Sequence, residues 1–221
     1  MCIKYSALKG FVFFIGTLIC WIHADSAGAG ILDNNVSMDE KPVEFNIGAA
    51  KYRIPRNYLY RMSNWSGGTQ EYAAIRVTYP ALQPFNKETK LCMQHKTACR
   101  IYEINLHNKF PVLEDGAFSK EESQHPELGS PGPYGFTLFT KGPENSKLEF
   151  YRKNLNGNPI LFLCLPNSYN GKKYSVCSHA TRTSSGITIS YFFNQDELSD
   201  AVEVDESLKK LVDGFSIGNE K

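Results

Sequence analysis

Residues 160–181 read ILFLCLPNSYNGKKYSVCSHAT. Asn170-Gly171 is a strong hairpin signal, because both central residues of a type I′ turn need positive φ. The apolar runs on either side have strand composition, so the stretch is expected to form an antiparallel hairpin. Counting outward from the turn places Cys164 directly opposite Cys177 in a non-hydrogen-bonded pair. The Cα atoms of such a pair lie close enough together for a disulfide.

The other cysteines are consistent with this pairing. The chain has six, and Cys2 and Cys20 lie in an N-terminal segment that resembles a secretory signal. If Cys164 pairs with Cys177, the remaining pair is Cys92–Cys99 by elimination. On the chain-entropy model each closure contributes about 2.5–3 kcal/mol. Paired cysteines in this arrangement indicate an oxidising compartment.

Residues 1–29 are predicted to be a signal peptide. A basic start precedes a twelve-residue apolar run, and Ala27-Gly28-Ala29 provides a small-x-small cleavage site. The run is shorter than the roughly 20 residues that a membrane span needs. Lipidation of Cys20 is disfavoured, because Ile19 is too large for the position before a lipidated cysteine. A periplasmic or secreted protein with no membrane span is therefore expected.

Charge argues against a nucleic-acid partner. The whole chain has 24 basic and 23 acidic side chains, and loss of the signal removes two lysines and one aspartate, which leaves equal numbers. A nucleic-acid-binding domain normally carries a basic face. The remaining length, about 190 residues, is enough for one domain or two small ones.

The pattern along the chain predicts an α+β fold that is mainly antiparallel sheet. A flexible N-terminus (30–42) precedes a β-rich half (43–113), a polar linker or long functional loop (114–133) and a C-terminal half (134–221). Strands are predicted at 43–47, 51–54, 71–79, 99–106, 148–153, 160–165, 174–181 and 187–193. The last four form a meander. An echo between 54–58 and 165–169 raises two similar halves as an alternative.

A C-terminal amphipathic helix is predicted to follow the meander. Asp205 can cap it, and Gly214 supplies a left-handed stop. Its apolar face consists of Leu208, Leu211, Val212 and Phe215.

No catalytic residue, metal or cofactor is expected. The chain lacks the motifs of serine hydrolases, zinc proteases and phosphate-binding loops. None of the candidate bases His95, His107, His125 and His179 lies in a recognisable context. The alternative C-x2-H-x3-C zinc reading, from Cys92 to Cys99, is weaker than the disulfide in an exported chain.

Partner binding is predicted in a segment that mixes arginine with aromatic residues, as protein interfaces do. The predicted binding residues are Arg53, Arg56, Tyr58, Tyr60 and Trp65. The alternative is a strand end with aromatics in the core and arginines in solvent. The acidic stretch 196–206 is a second candidate, or a solvated loop that leads into the helix.

The run from Phe45 to Leu59, with its Ile54-Pro55-Arg56-Asn57-Tyr58 turn, resembles a segment of exported immunity proteins of Gram-negative bacteria. That family accompanies antibacterial effectors of the type VI secretion system, including phospholipases. The resemblance implies a periplasmic protein that binds and occludes a cognate toxin, and it transfers no catalytic residue. The alternative is a small secreted hydrolase or ligand-binding protein with a site between the two halves.

Overall fold

The computed structural model describes residues 36–112, 129–142, 147–169 and 172–218. These residues belong to one structural unit. The predicted signal peptide, most of the predicted linker and His125 lie outside the described residues.

Within the described ranges the chain forms mainly antiparallel strands and two α-helices. The strands are β1 (Pro42–Ile47), β2 (Ala50–Pro55), β3 (Gly68–Gln70), β4 (Tyr72–Tyr79), β5 (Arg100–His107), β6 (Ser130–Pro131), β7 (Thr137–Lys141), β8 (Leu148–Leu155), β9 (Asn158–Tyr169), β10 (Lys172–Arg182), β11 (Thr188–Asn194) and β12 (Ser216–Ile217). The helices are α1 (Lys90–Met93) and α2 (Ala201–Gly214). The predicted α+β class is confirmed.

The predicted meander is confirmed within a larger sheet, whose order is β4-β5-β11-β10-β9-β8-β7-β6. In the β9–β10 hairpin, Cys164 lies opposite Cys177 as the turn geometry requires, and the two form a disulfide with Cα atoms 3.9 Å apart. Cys92 and Cys99 form the second predicted disulfide, with Cα atoms 5.7 Å apart.

The smaller sheet has the order β12-β2-β1-β3. On β1, Val43, Phe45 and Ile47 are buried, while the residues between them face solvent. This alternation follows from the two-residue period of a strand with one buried face. β2 pairs antiparallel with β1, and β3 adds to β1 in parallel.

Strands from both predicted halves share the larger sheet. β5 pairs with β11, so that Ile104 lies opposite Tyr191 and His107 opposite Thr188. The end of the predicted linker contributes β6 at the far edge. The main core lies between the inner face of the larger sheet, the smaller sheet and α2.

The helix differs from the prediction at both ends. It begins at Ala201, with Asp200 at the N-cap position, so Asp205 lies one turn inside and is 1% exposed. The apolar face extends back through Val204 to Ala201, which is why the helix starts earlier. Gly214 is not in the left-handed region, and Phe215 follows it in right-handed conformation.

Candidate partner-binding site

The predicted binding segment begins on β2 and continues through two short 3₁₀ turns, Arg56–Tyr58 and Met62–Asn64. Pro55 ends the strand, and its fixed φ starts the first turn. Leu59, between the turns, is buried and forms a bridge to Ile75 of β4. The segment therefore covers the open edge of β4, and its side chains divide between core and surface.

Arg53 lies on the solvent face of the smaller sheet. It faces Glu44 across the β1–β2 pair, with Nη2 2.8 Å from Oε1 of Glu44. The hydrogen bond and the charge of Arg53 lower the pKa of Glu44. Both side chains are more than half exposed, so the pair adds little to stability and is accessible to a partner.

Arg56 lies between an acidic and an aromatic side chain. Its Nη1 lies 3.0 Å from Oδ2 of Asp39, and its guanidinium carbon is 6.0 Å from the ring centroid of Trp65. Its Nε is buried and has no hydrogen-bond partner among the described residues. The arginine is thus fixed in place while part of it remains at the surface.

Tyr58 and Trp65 are half-buried and pack against the core. The ring of Tyr58 meets Phe215 edge to face at 5.0 Å, and burial raises the pKa of Tyr58. The indole Nε1 of Trp65 donates to the carbonyl oxygen of Leu59 at 3.3 Å. Each ring therefore has a structural role and one face or edge near solvent.

Tyr60 differs from the other four, because it is only 7% exposed. Two guanidinium groups lie near its ring, with Arg76 at 4.8 Å and Arg61 at 5.4 Å from the centroid. Burial raises the pKa of Tyr60. The structure therefore places this predicted binding residue in the interior.

Two exposed methionines, which were not predicted as binding residues, are close in the chain to the two residues that contact Arg56. Met38 precedes Asp39 and is 45% exposed, and Met62 is in the same 3₁₀ turn as Trp65 and is 55% exposed. Methionine is enriched at interfaces together with arginine and aromatic residues. We call Met38, Asp39, Arg56, Met62 and Trp65 the Arg56 surface.

The acidic stretch 196–206 is largely engaged within the molecule. Arg100 of β5 donates from Nε to Glu197 at 3.0 Å and also forms an ion pair with Asp200. The hydrogen bond from Arg100 lowers the pKa of Asp200. Tyr102 donates to the same Glu197 oxygen at 2.7 Å. These contacts hold the 3₁₀ helix before α2, Gln195–Ser199, against the larger sheet.

His179 lies in the core. Its Nδ1 is 2.8 Å from the carbonyl oxygen of Leu161, and its Nε2 is 3.3 Å from Oδ1 of Asp205. Tyr191 and Lys209 complete the surroundings of that carboxylate, at 3.2 and 2.8 Å. Burial opposes ionisation, yet the bonds and charges of His179 and Lys209 lower the pKa of Asp205. His179 and Asp205, at 2% and 1% exposure, are inaccessible to substrate, whereas Lys209 is 32% exposed.

The other histidines also lack a catalytic setting in the described part of the chain. Nε2 of His107 lies 3.0 Å from Oγ of Ser190, its ring stacks on Phe110, and burial lowers the pKa of His107. Within the described ranges no carboxylate bonds to this ring. His95 follows α1 with φ of 55°.

The disulfide between Cys92 and Cys99 excludes the zinc interpretation of this segment. Since Cys92 and Cys99 are joined to each other, their thiolates are not available to zinc. Among the residues that the structure describes, no group of three or more metal-ligating side chains occurs. In the same part of the chain, no helix is long and apolar enough to cross a membrane.

Two solved structures share this fold. FrpD, an iron-regulated outer membrane lipoprotein of Neisseria meningitidis, matches with a TM-score of 0.57 and 17% identity, over 81% of this chain and 94% of its own. Smlt3025, an immunity protein of the Stenotrophomonas maltophilia type IV secretion system, matches with a TM-score of 0.54 and 14% identity, over 80% and 94%. No protein-family model and no curated protein matches the sequence.

These similarities establish the fold. The chain shares its fold with an immunity protein and with a lipoprotein. The immunity protein belongs to a type IV secretion system, so the expected association with type VI secretion gains no support from it.

Proposed function

We propose that this chain is an exported immunity protein that binds a cognate protein toxin and blocks it. The observation that carries the proposal is the shared fold with Smlt3025, which extends over most of both chains. A fold shared at this identity does not transfer a function by itself. The proposal therefore also draws on the resemblance of the run from Phe45 to Leu59 and on the Arg56 surface.

The proposed compartment is the periplasm. Two disulfides within one small chain suit an oxidising environment, and the signal peptide proposed for residues 1–29 would deliver the protein there. An association with type VI secretion, and with a phospholipase toxin, rests on the sequence resemblance alone. The neighbouring gene on the chromosome would identify both.

The proposed mode of action is occlusion of the toxin through the Arg56 surface, with Arg53 and Tyr58 at its margin. Arg56 is held by Asp39 and Trp65, so little side-chain freedom remains to be lost on binding. Preorganised arginine and tryptophan residues are frequent hot spots, and exposed methionines adapt to the partner's shape. No catalysis by this chain is needed for such inhibition.

Expression in a susceptible bacterium tests the proposal. The toxin encoded beside this gene is exported to the periplasm with and without this chain. We expect full-length protein to restore growth, and a variant that lacks residues 1–29 to give no protection. The purified pair should also elute as one complex. If the proteins elute separately and growth is not restored, the chain is not the immunity protein of that toxin.

A hydrolase is the second candidate, favoured by the 3.0 Å contact between His107 and Ser190. A serine nucleophile needs a base that a third group orients, and no such group joins this pair in the described residues. We propose that the pair is structural. Turnover of ester or peptide substrates that is lost in Ser190→Ala would reverse this assignment.

A further inference from the structure

The turn between β6 and β7 has a tyrosine in a backbone conformation that suits asparagine or glycine. Tyr134 has φ of 55° and ψ of 27°, and Gly135 has φ of 76°. The N–H of Phe136 donates to the carbonyl oxygen of Pro133 at 3.0 Å. These angles are those of a type I′ turn, whose first central position favours asparagine, aspartate or glycine. Most other L-residues are strained there, because Cβ approaches the following carbonyl oxygen.

The same chain contains such a turn with the residues that the conformation favours. Asn156 and Gly157, between β8 and β9, have φ of 51° and 88°. Of these two turns, the one at Tyr134 carries an aromatic side chain at the position where the other has asparagine. Local sterics therefore do not account for Tyr134. A backbone outlier of this kind points to a function of the side chain.

The side chain of Tyr134 is accessible from solvent. Tyr134 is 56% exposed, and Pro133 and Gly135 on either side of it are exposed as well. Within the described ranges its hydroxyl group makes no hydrogen bond. Hydrogen bonding of the side chain inside this part of the molecule therefore does not offset the backbone strain.

The backbone of the turn is held firmly beneath the exposed ring. Phe136 is 3% exposed, and its ring meets that of Tyr151 edge to face. Nζ of Lys153 donates to the carbonyl oxygen of Tyr134 at 3.1 Å, and the N–H of Gly132 donates to the carbonyl oxygen of Phe136 at 2.8 Å. A tyrosine on such a turn loses little conformational freedom when a partner binds it, which favours affinity.

The turn lies beside the second predicted binding segment. It contacts the 3₁₀ helix Gln195–Ser199, which is part of the acidic stretch 196–206. In that helix the side chains of Asp196 and Ser199 are exposed. Tyr134 therefore belongs to a surface with an aromatic ring and polar side chains next to it, as in the centre and rim of protein interfaces.

We infer that Tyr134 is a binding residue for the toxin and enters a recess on the toxin's surface. The inference rests on the proposed function and adds a second contact to the Arg56 surface. An aromatic ring on an exposed turn requires a concave partner, which a small molecule does not provide. The recess has apolar walls for the ring and a polar group that bonds to the phenolic hydroxyl.

Tyr134→Asn tests the strain and the binding in one variant. It introduces the residue that the other turn has at Asn156, so the midpoint of thermal denaturation should rise by about 2 °C. In calorimetric titration with the purified cognate toxin, the same variant should bind at least about tenfold more weakly, because the ring is lost. An unchanged or lower midpoint, or unchanged binding, would overturn the inference.

Two further variants establish whether the ring is the cause. Tyr134→Phe keeps the ring on the same backbone and should bind within about threefold of wild type. Tyr174→Asn is the matched control, because Tyr174 is 42% exposed and lies in strand β10. It should leave the dissociation constant within about twofold. Equal weakening by Tyr134→Asn and Tyr174→Asn, or by Tyr134→Asn and Tyr134→Phe, would contradict the inference.

The remaining outcomes separate this inference from the proposed function. If wild-type protein without toxin forms assemblies that Tyr134→Asn dissolves, the recess belongs to a second copy of this chain and the inference is overturned. If wild type does not bind the toxin, the proposed function and the inference both fall. If wild type and Tyr134→Asn bind the toxin equally well, Tyr134 is not a contact, while the immunity function stands.

Discussion

The residues whose substitution should destabilise this molecule most are buried and ionisable. Arg76, His179 and Asp205 are 3%, 2% and 1% exposed. An ion pair joins Arg76 to Glu103, and Asp205 has His179 and Lys209. A buried charge is tolerated only while its partners remain, because removal of one partner leaves the other uncompensated. Substitution of one of these residues should lower the free energy of unfolding more than substitution of an apolar core residue of similar size.

Asp205→Ala is expected to lower the free energy of unfolding by about 3 kcal/mol, since it removes a buried carboxylate that His179 and Lys209 both contact. Urea unfolding at pH 7 measures this. Glu206→Ala, one residue further and exposed, is the control and should change stability by less than about 0.5 kcal/mol. Equal, small changes would mean that the cluster contributes no net stability.

The same carboxylate predicts a pH dependence. Because the folded state lowers the pKa of Asp205, its contribution is complete above the unfolded-state pKa of about 3.9. It is lost as the pH falls through the lower pKa of the folded state. The difference in stability between wild type and Asp205→Asn should therefore shrink below about pH 4. A difference that stays constant down to pH 2 would contradict the assigned ion pair.

Arg56→Ala is expected to weaken toxin binding about 30-fold, or 2 kcal/mol. Its ion pair with Asp39 is partly exposed, so unfolding should change by less than about 1 kcal/mol. Lys51→Ala, which removes an exposed charge from β2, should leave binding unchanged. Calorimetric titration of both variants decides whether the Arg56 surface contacts the toxin.

Tyr60→Ala should have the opposite effect to Arg56→Ala, with a large loss of stability and no direct effect on toxin binding. The ring is buried near Arg61 and Arg76, so its loss should destabilise the fold by about 3 kcal/mol and affect binding only through folding. Thermal denaturation of Tyr60→Ala and Arg56→Ala, measured side by side, distinguishes the structural role of Tyr60 from the binding role of Arg56.

At the scale of elements, the smaller sheet depends on close approach between β1 and the turn before β3. Gly67 has φ of 66°, and a Cβ there would overlap the carbonyl oxygen of Glu44. Gly68 has φ of 78°, and a Cβ there would meet nothing within 4 Å. Both glycines therefore have positive φ, but only at Gly67 would an added Cβ collide with a neighbouring strand.

Gly68→Ala should cost about 1 kcal/mol, the strain of positive φ alone. Gly67→Ala should cost more than 2 kcal/mol, because the backbone of β1 must also move. Denaturant midpoints of the two variants measure the difference. Equal midpoints would show that β1 and this turn are not packed as described.

At the scale of the whole molecule, the β5–β11 pairing joins the two halves of the chain. Eight of the described strands form one sheet, and the core cluster contains residues of both halves. The ligand-binding alternative places its site between two halves, and in this structure the two halves share one sheet. The shared sheet instead favours a rigid surface, which suits a partner as large as a protein.

A single cooperative unfolding transition is therefore expected. In a protein that begins at residue 30, Trp65 is the sole tryptophan, so its fluorescence reports the N-terminal half while far-UV circular dichroism reports the whole sheet. The two urea curves should superimpose. A Trp65 transition that clearly precedes the loss of sheet would indicate that the halves unfold separately.

Local chemistry made much of this fold predictable. Asn156 and Gly157 both have positive φ, as an Asn-Gly turn requires, and the second Asn-Gly pair set the register that joins Cys164 to Cys177. Such features depend on a few neighbouring residues, and strand alternation depends on one buried face. They can be read from sequence because sterics and hydrogen bonding within a hairpin determine them.

Only part of the candidate binding site could be predicted from the sequence. Composition selected the segment that contains Arg56 and Trp65, but it did not separate buried Tyr60 from exposed Met62. Asp205 had the appearance of a helix cap, and only packing against His179 and Tyr191 places it in the core. Burial, ion pairing across strands and the β5–β11 contact arise between residues distant in sequence. Tertiary packing alone determines them, because the free energy of a buried group depends on all the elements that surround it.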